Sequence, residues 1–208
     1  MRNFHFFIYA ISLFFFLLAI CSACKKSKEE ILKDADHLHP GDVVFRLGDS
    51  SESNAIMVAD SEADYSHVGI AVCCHGKMKI IHACPSDHFE INVNNYIRLD
   101  SPDAFFDNKV CLQGAVYRCP NSDIAVKAAD VAKELYEKKI PFDFNFDIND
   151  TTAMYCTELI DFAFKKAGVS LTDNKLHDVD IPGTFVPNCL LISDLQKSDK
   201  LEIISSFK

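Results

Sequence analysis

The chain has 208 residues, 49% of them hydrophobic, and a formal net charge of −9 at pH 7. This length is enough for one well-packed domain and short for two. A nucleic-acid-binding protein needs a basic surface for the phosphates, and the basic residues cluster only in the short run Lys25–Lys28. We therefore expect no nucleic-acid partner.

The sequence of the N-terminus indicates a targeting segment. Arg2 precedes an almost purely apolar stretch from Phe6 to Ile20, and small residues then lead to Cys24. The stretch is shorter than the roughly 20 residues of a membrane-spanning helix. A plain secretory signal, a signal anchor and a lipoprotein signal all fit this pattern. The segment resembles a bacterial lipobox, with Cys21 standing where leucine is usual. Because of this resemblance, we expect residues 1–23 to be a signal peptide.

Cys24 is then the expected lipidated residue, and the polar run that follows it is typical of a tether. We expect residues 24–38 to form this tether and a short helical lead-in, and residues 39–208 to form one folded domain. A lipid on Cys24 anchors a protein to a membrane. The expected location is therefore the bacterial cell envelope, facing either the periplasm or the exterior.

The folded domain begins with predicted strands and one helix. Pro-Gly and Gly-Asp-Ser bound an apolar strand, a serine-capped helix follows it, and a His-Gly turn joins two β-branched runs into a hairpin. Further along, two more strands come before an amphipathic helix, an acidic aromatic loop, a second helix that ends at Gly168 and an extended tail. The predicted elements are Asp42–Leu47, Ser50–Asp60, Ser66–Cys74, Met78–Cys84, Phe89–Val93, Val110–Arg118, Asp123–Lys139, Pro141–Asp150, Met154–Ala167 and Leu201–Ser205. Strands flanked by helices in this order predict an α+β fold with an antiparallel sheet.

Cys156 is the candidate nucleophile, because it begins the second long helix. A thiol in the first turn of a helix meets unpaired backbone N–H groups and the positive end of the helix dipole, and both favour the thiolate. The alternative is a buried core cysteine at the start of an apolar helix, which is the commoner place for a lone cysteine.

Two histidines are candidates for the base and for the residue that orients it. His67 opens one strand of the predicted hairpin, and His82 lies on the other strand at a similar distance from the turn. The two therefore face each other or sit one diagonal apart. A buried imidazole at His82 needs a polar partner, which His67 can supply. Each histidine alone is equally consistent with an ordinary hydrogen-bonded side chain.

Three other polar side chains are candidates for substrate binding, namely Tyr65, Tyr155 and Asp143, and each is also consistent with a purely structural part. The chain has no phosphate-binding loop, zinc-protease motif, EF-hand loop or serine elbow. We therefore expect no cofactor and no metal.

The phrases His39–Phe45, Ser66–Ile70 and Ile81–Ala83 resemble those of NlpC-type papain-like cell-wall peptidases. In those enzymes the cysteine precedes the sheet, whereas Tyr155–Leu159 follows it here. This order resembles the circularly permuted branch, the YiiX-like permuted papain-like amidases. The resemblance implies a permuted papain-like α+β fold, in which an antiparallel sheet or half-barrel packs against helices.

The resemblance also implies roles for the three candidates. Cys156 would be the nucleophile, His67 the general base and later acid, and His82 the residue that orients His67. Two residues depart from the usual pattern of the permuted branch. Thr157 stands where serine is usual, and His82 stands where glutamate is frequent.

The implied activity is cysteine-dependent hydrolysis of an amide bond in a cell-wall peptide or in an amide of an amino acid and a lipid. The membrane would be a second partner, through the lipid on Cys24. Two alternatives remain open on the sequence. One is an acyltransferase of the same fold that uses an acceptor other than water, and the other is a non-catalytic surface lipoprotein that binds a ligand in its cleft.

Overall fold

The computed structural model of the protein describes residues 37–85, 95–181 and 184–207. These residues form eight strands and five helices. The strands are β1 (Val43–Leu47), β2 (His67–Cys74), β3 (Lys77–His82), β4 (Arg98–Asp100), β5 (Gln113–Arg118), β6 (His177–Ile181), β7 (Thr184–Cys189) and β8 (Glu202–Phe207). The helices are α1 (Ser51–Ala59), α2 (Pro102–Phe105), α3 (Ser122–Glu137), α4 (Cys156–Ala167) and α5 (Ile192–Gln196).

Six strands form the main sheet, in the order β4-β3-β2-β1-β5-β8, and β6 pairs with β7 in a separate hairpin. Every neighbouring pair in the main sheet is antiparallel. The fold is therefore α+β with an antiparallel sheet, as the sequence predicts.

A tight turn sets the register between β2 and β3. His75 and Gly76 have positive φ angles of 51° and 73°, and two such residues in succession suit the twist of a two-residue hairpin. The turn pairs Cys74 with Lys77, and the ladder continues to the pairing of Ile70 with Ile81. Because side chains alternate between the two faces of a sheet, this register decides which face His82 occupies.

The two faces of the sheet pack against different layers. One face carries Val43, Phe45 and Val68 into the larger core, which α3 and α4 cover. The other face carries Val44 and Ile80 into a smaller cluster, which is closed by the aromatic residues Phe105, Phe106 and Phe207. The alternation of Val43, Val44 and Phe45 between the two clusters follows the pleat of β1.

Most predicted elements are present with small shifts at their ends. Ser50 caps α1 by accepting a hydrogen bond from the Ser53 N–H. Gly168 ends α4 with a φ of 102°, which is the left-handed conformation expected of a C-terminal glycine. Helix α4 begins at Cys156, two residues later than predicted.

Other predictions fall outside the described residues, and some elements were not predicted. The predicted strand Phe89–Val93, the signal segment, Cys24 and nearly all of the tether lie outside the described residues. The sequence patterns missed β4, α2, α5 and the hairpin of β6 and β7. Within the described part of the chain, no helix is both long enough and apolar enough to cross a membrane.

Candidate active site

Cys156 is the first residue of α4, directly after Tyr155 in extended conformation. A buried contact holds this start of the helix in place. The Tyr155 hydroxyl accepts a hydrogen bond from the Leu190 N–H at 2.8 Å, and the Thr157 hydroxyl donates to the Leu190 carbonyl at 2.8 Å. The residues on both sides of Cys156 are therefore fixed to the segment before α5.

The Cys156 sulfur lies against the start of β2. The backbone N–H groups of Thr157 and Val68 lie close enough to the sulfur to lower its pKa, but burial has the larger effect and raises the pKa of Cys156 to about 12. The backbone donors at the helix start therefore act in the expected direction, toward the thiolate, but desolvation outweighs them and favours the protonated thiol.

A chain of hydrogen bonds crosses the strands beside this thiol. His67 Nε2 lies 2.8 Å from His82 Nδ1, and His82 Nε2 lies 3.0 Å from an oxygen of Asp100. Arg98 lies 3.3 Å from the same Asp100 oxygen. This series of hydrogen bonds ends at His67. The next residue is Val68, and the Val68 N–H group contacts the Cys156 sulfur.

The register explains why these three side chains meet. Extending the β2–β3 ladder by one residue places His82 opposite Gly69, two residues along β2 from His67. On the next pair of strands, Asp100 is opposite Ile80, two residues along β3 from His82. Each step is thus one diagonal on a single face of the sheet, where long side chains reach each other.

Gly69 makes room for this arrangement. A Cβ atom at this position would lie 2.7 Å from Ile80 Cγ2 and 3.2 Å from His82 Cβ, both shorter than an ordinary contact. The absence of a side chain at Gly69 therefore lets His82 lie over the backbone of β2.

The histidines are enclosed by apolar and cationic groups. The Phe105 ring packs 5.8 Å from the His67 ring and 5.2 Å from the His82 ring, and Arg46 lies over the same ring at 4.7 Å. Burial, with the Arg46 charge, lowers the pKa of His67 well below its ordinary value. Burial also lowers the pKa of His82, against the opposing effect of its hydrogen bond to Asp100.

This electrostatic environment makes one proton arrangement consistent with every contact. The hydrogen bond from His82 lowers the pKa of Asp100, so this carboxylate is an acceptor and His82 Nε2 carries a proton. His82 Nδ1 then accepts from His67 Nε2–H, because a neutral imidazole has one donor and one acceptor nitrogen. The remaining lone pair is on His67 Nδ1, where a general base needs it.

The three predicted substrate-binding residues have structural contacts. Tyr155 is buried and bonded to Leu190, and Tyr65 is buried with its ring 5.6 Å from that of Phe45. Asp143 is also buried, and its two oxygens accept the N–H groups of Asn145 at 2.7 Å and Asp147 at 2.6 Å. Asp143 thus organises the acidic loop, and contact of these three residues with a substrate stays a prediction.

Two residues at this site are not predicted from the sequence. Asp100 was missed because β4 has only three residues, too few for an alternating pattern to be visible. The sequence predicts Cys84 only as the end of a strand, yet it brings one potential ligand atom to within 4.8 Å of ligand atoms of His67 and His82. These three residues form a group that can hold a metal ion, whereas the sequence motifs predicted none.

Comparisons with known proteins agree with this architecture. The fold is similar to the crystal structure of the metalloprotein yiiX from Escherichia coli O157:H7, with a TM-score of 0.64 and 19% sequence identity over 80% of this chain and 96% of that chain. A comparison with curated proteins found no match. Residues 37–181 match the model of the permuted papain-like amidase enzymes of the YaeF/YiiX type, the C92 peptidase family. This match supports a cysteine-hydrolase-like function, and the chain belongs to the family of permuted papain-like amidases.

Proposed function

We propose that the protein hydrolyses an amide bond through an acyl-thioenzyme on Cys156. The observation that carries the proposal is the chain from Asp100 through His82 to His67, with contacts of 3.0 Å and 2.8 Å. In this chain His67 is the base: its Nε2 atom is held by His82, and its Nδ1 atom is available to accept a proton. His67 directly precedes Val68, whose N–H group contacts the Cys156 thiol. A nucleophile, a base and an orienting partner are the parts that covalent acyl transfer requires.

The first half of the reaction forms the acyl-enzyme. The proton of the Cys156 thiol moves to His67 Nδ1 as the sulfur attacks the amide carbonyl, so that a C–S bond forms and the carbonyl oxygen becomes an oxyanion. The Cys156 N–H at the start of α4 is one donor to that oxyanion. As the intermediate collapses, His67 returns its proton to the leaving nitrogen and the C–N bond breaks.

Water completes the reaction. His67 Nδ1 takes a proton from a water molecule, whose oxygen attacks the thioester and forms a C–O bond. The C–S bond then breaks, the carboxylic acid leaves, and the proton held by His67 returns to the Cys156 sulfur. Asp100 and His82 hold the His67 tautomer throughout and stabilise its cationic form.

We propose as the substrate a cell-wall peptide or an amide of an amino acid and a lipid. A panel of muropeptides and N-acyl amino acids tests this class, with released amine as the readout. The matched pair of variants is Cys156→Ala and Cys73→Ala, because Cys73 is an exposed cysteine at the far end of β2. Loss of amine release in Cys156→Ala alone supports the proposal. Equal rates of amine release in the two variants would contradict it.

Water as the acceptor needs its own test. The same reaction is run with a primary amine or an alcohol present, and the products are identified by mass spectrometry. A carboxylic acid as the main product supports hydrolysis. A transferred acyl group as the main product would instead make the protein an acyltransferase that uses the same thioester.

We further propose that Cys24 carries a lipid and anchors the domain to a membrane of the bacterial cell envelope. The small residues before Cys24 and the polar run after it support this proposal. The test is detergent phase partitioning together with incorporation of a labelled fatty acid, comparing Cys24→Ala with Cys21→Ala. Loss of label in Cys24→Ala alone is expected. Label that persists in Cys24→Ala would contradict lipidation at this residue.

A further inference from the structure

Three metal-ligating side chains meet at the end of the β2–β3 hairpin. His67, His82 and Cys84 each offer one ligand atom, and these atoms all lie within 4.8 Å of one another. The mechanism described above uses the two histidines and gives no part to Cys84.

The two histidines of this cluster lie on the paired strands β2 and β3, and Cys84 follows two residues after the end of β3. If the β2–β3 register is continued past the last paired residues, Cys84 falls opposite His67, and His82 is one diagonal away from His67. Directly opposed residues on antiparallel strands have Cβ atoms about 5 Å apart. The sheet therefore holds both histidines, and the Cys84 sulfur lies within 4.8 Å of their ligand atoms.

The ligand set suits a soft divalent cation. Two imidazole nitrogens and one thiolate are ligands that zinc prefers, in sites where three protein ligands leave one position open. In addition, His82 Nε2 lies 3.0 Å from the Asp100 carboxylate. A carboxylate on the outer nitrogen of a ligating histidine is a recurrent feature of zinc sites, because it orients the ring and raises its basicity.

The geometry needs only a small adjustment. The facing nitrogens of His67 and His82 lie 2.8 Å apart, whereas two nitrogens on a tetrahedral zinc ion stand about 3.3 Å apart. A rotation that separates the rings by about 0.5 Å therefore admits the ion.

We propose that His67, His82 and Cys84 bind one zinc ion, and that the bound ion switches off His67 as the base. The inhibitory part of this inference rests on the proposed function. A metal ion on His67 Nε2 occupies the lone pair of that nitrogen, so the neutral ring carries its proton on Nδ1. The Nδ1 lone pair that accepts the Cys156 proton is then lost.

Zinc binding is measured first, because this measurement does not depend on activity. The full-length protein in detergent is treated with a chelator and titrated with zinc chloride against a fluorescent zinc indicator. The zinc X-ray absorption spectrum of the loaded protein then reports its ligands. One equivalent of zinc with one sulfur and two nitrogen ligands is expected.

Cys84→Ser is the decisive variant, and Cys73→Ser is its matched control, since Cys73 is exposed on β2. Loss of a zinc ligand costs at least as much as loss of an outer-shell partner, so we expect Cys84→Ser to weaken zinc binding by about 100-fold. Cys73→Ser should bind as the wild type does. Absence of saturable binding, or equal affinity in Cys84→Ser and the wild type, would overturn the site.

Activity is measured second, with the metal-free protein and one equivalent of zinc. The wild type should lose at least 90% of its amide hydrolysis, whereas Cys84→Ser should keep its rate at the same zinc concentration. A zinc-loaded wild type that hydrolyses at the metal-free rate or faster would overturn the inhibitory part. If the metal-free protein does not hydrolyse amides at all, the proposed function fails, while the titration and the spectrum still decide whether the zinc site exists.

Discussion

His82 Nδ1 lies 2.8 Å from His67 Nε2, and this contact joins two neighbouring strands diagonally across one face of the sheet. It fixes one nitrogen of His67 and leaves the other as an acceptor. Because Asp100 lies 3.0 Å from the far nitrogen of His82, the contact also connects His67 to a carboxylate that it does not touch. We call the contacts from Asp100 through His82 to His67 the relay.

Asp100→Asn should lower kcat/KM by about 10- to 100-fold, since general acid–base catalysis as a whole supplies about 100- to 10,000-fold. The Asn side chain keeps the shape but removes the charge that stabilises the histidine cations. In the wild type, the acid limb of the kcat/KM profile should lie below the ordinary histidine pKa of 6.5, because burial lowers the pKa of His67. In the variant it should move to still lower pH.

The control for this variant is Asp103→Asn, because Asp103 is exposed on the neighbouring helix α2. It should leave both the rate and the profile unchanged. An Asp100→Asn enzyme with the wild-type rate and acid limb would show that the relay does not act on His67.

Cys156 should be a thiol rather than a thiolate in the resting enzyme, because burial raises the pKa of Cys156 to about 12. The difference in thiolate absorbance near 240 nm between wild type and Cys156→Ala should therefore stay close to zero from pH 6 to pH 9, a range well below the pKa. Thiolate absorbance with a midpoint below the ordinary cysteine value would instead indicate a preformed thiolate–imidazolium pair.

Gly69→Ala should impair activity more than stability. The new Cβ atom would lie 2.7 Å from Ile80 Cγ2 and 3.2 Å from His82 Cβ, so β3 must shift at the point where His82 meets His67. Overpacking of this kind costs about 1–3 kcal/mol of stability. A rate at least about 100-fold lower in a variant that remains folded at the assay temperature is expected, in line with the cost of small misplacements at active sites.

The circular dichroism melt and the rate of Gly69→Ala should be measured on the same sample. A folded variant with the wild-type rate would show that the placement of His82 tolerates this shift, and hence that it does not limit the reaction.

Glu158→Gln should remove a pH dependence of stability. Burial raises the pKa of Glu158 from 4.5 to about 8, and within the described part of the chain no hydrogen-bond partner reaches its Oε2 atom. The folded state therefore holds a proton that the unfolded state releases. The resulting stabilisation is complete below pH 4.5 and is lost as the pH rises through about 8.

Urea unfolding at pH 4.5 and pH 8.5 measures this effect. The free energy of unfolding of Glu158→Gln minus that of the wild type should be larger at pH 8.5 than at pH 4.5, by on the order of 2–4 kcal/mol. The exposed Glu202→Gln is the control and should show no such gain. A constant difference between Glu158→Gln and the wild type would mean that Glu158 titrates normally in the folded protein.

Local patterns predicted the parts of the fold that local forces determine. The Pro-Gly before β1, the His75–Gly76 turn and Gly168 after α4 each mark an element end by backbone conformation, and the structure has all three ends near the predicted places. The antiparallel pairing of β2 with β3 follows from that turn. It was sufficient to place His67 and His82 within reach of each other.

The remaining parts of the site depend on tertiary contacts that no local pattern records. Asp100 reaches His82 only because a three-residue strand pairs with the edge of β3. The protonated state of Cys156 depends on how deeply α4 and β2 bury the sulfur, and the helix start alone pointed to the opposite state. Similarly, Cys84 lies near His67 and His82 although it follows the end of β3, so no strand pattern indicates this proximity.

In the proposed mechanism Cys156 carries the acyl group, and the most direct test is to trap that group on the protein. The enzyme is mixed with an activated amide substrate, quenched in acid within the first turnover and analysed by peptide mass spectrometry. An acyl adduct is expected on the peptide that contains Cys156, and it should be absent in Cys156→Ala and slow to form in His67→Ala. Hydrolysis that proceeds at the wild-type rate in Cys156→Ala, with no adduct at this residue, would contradict this mechanism.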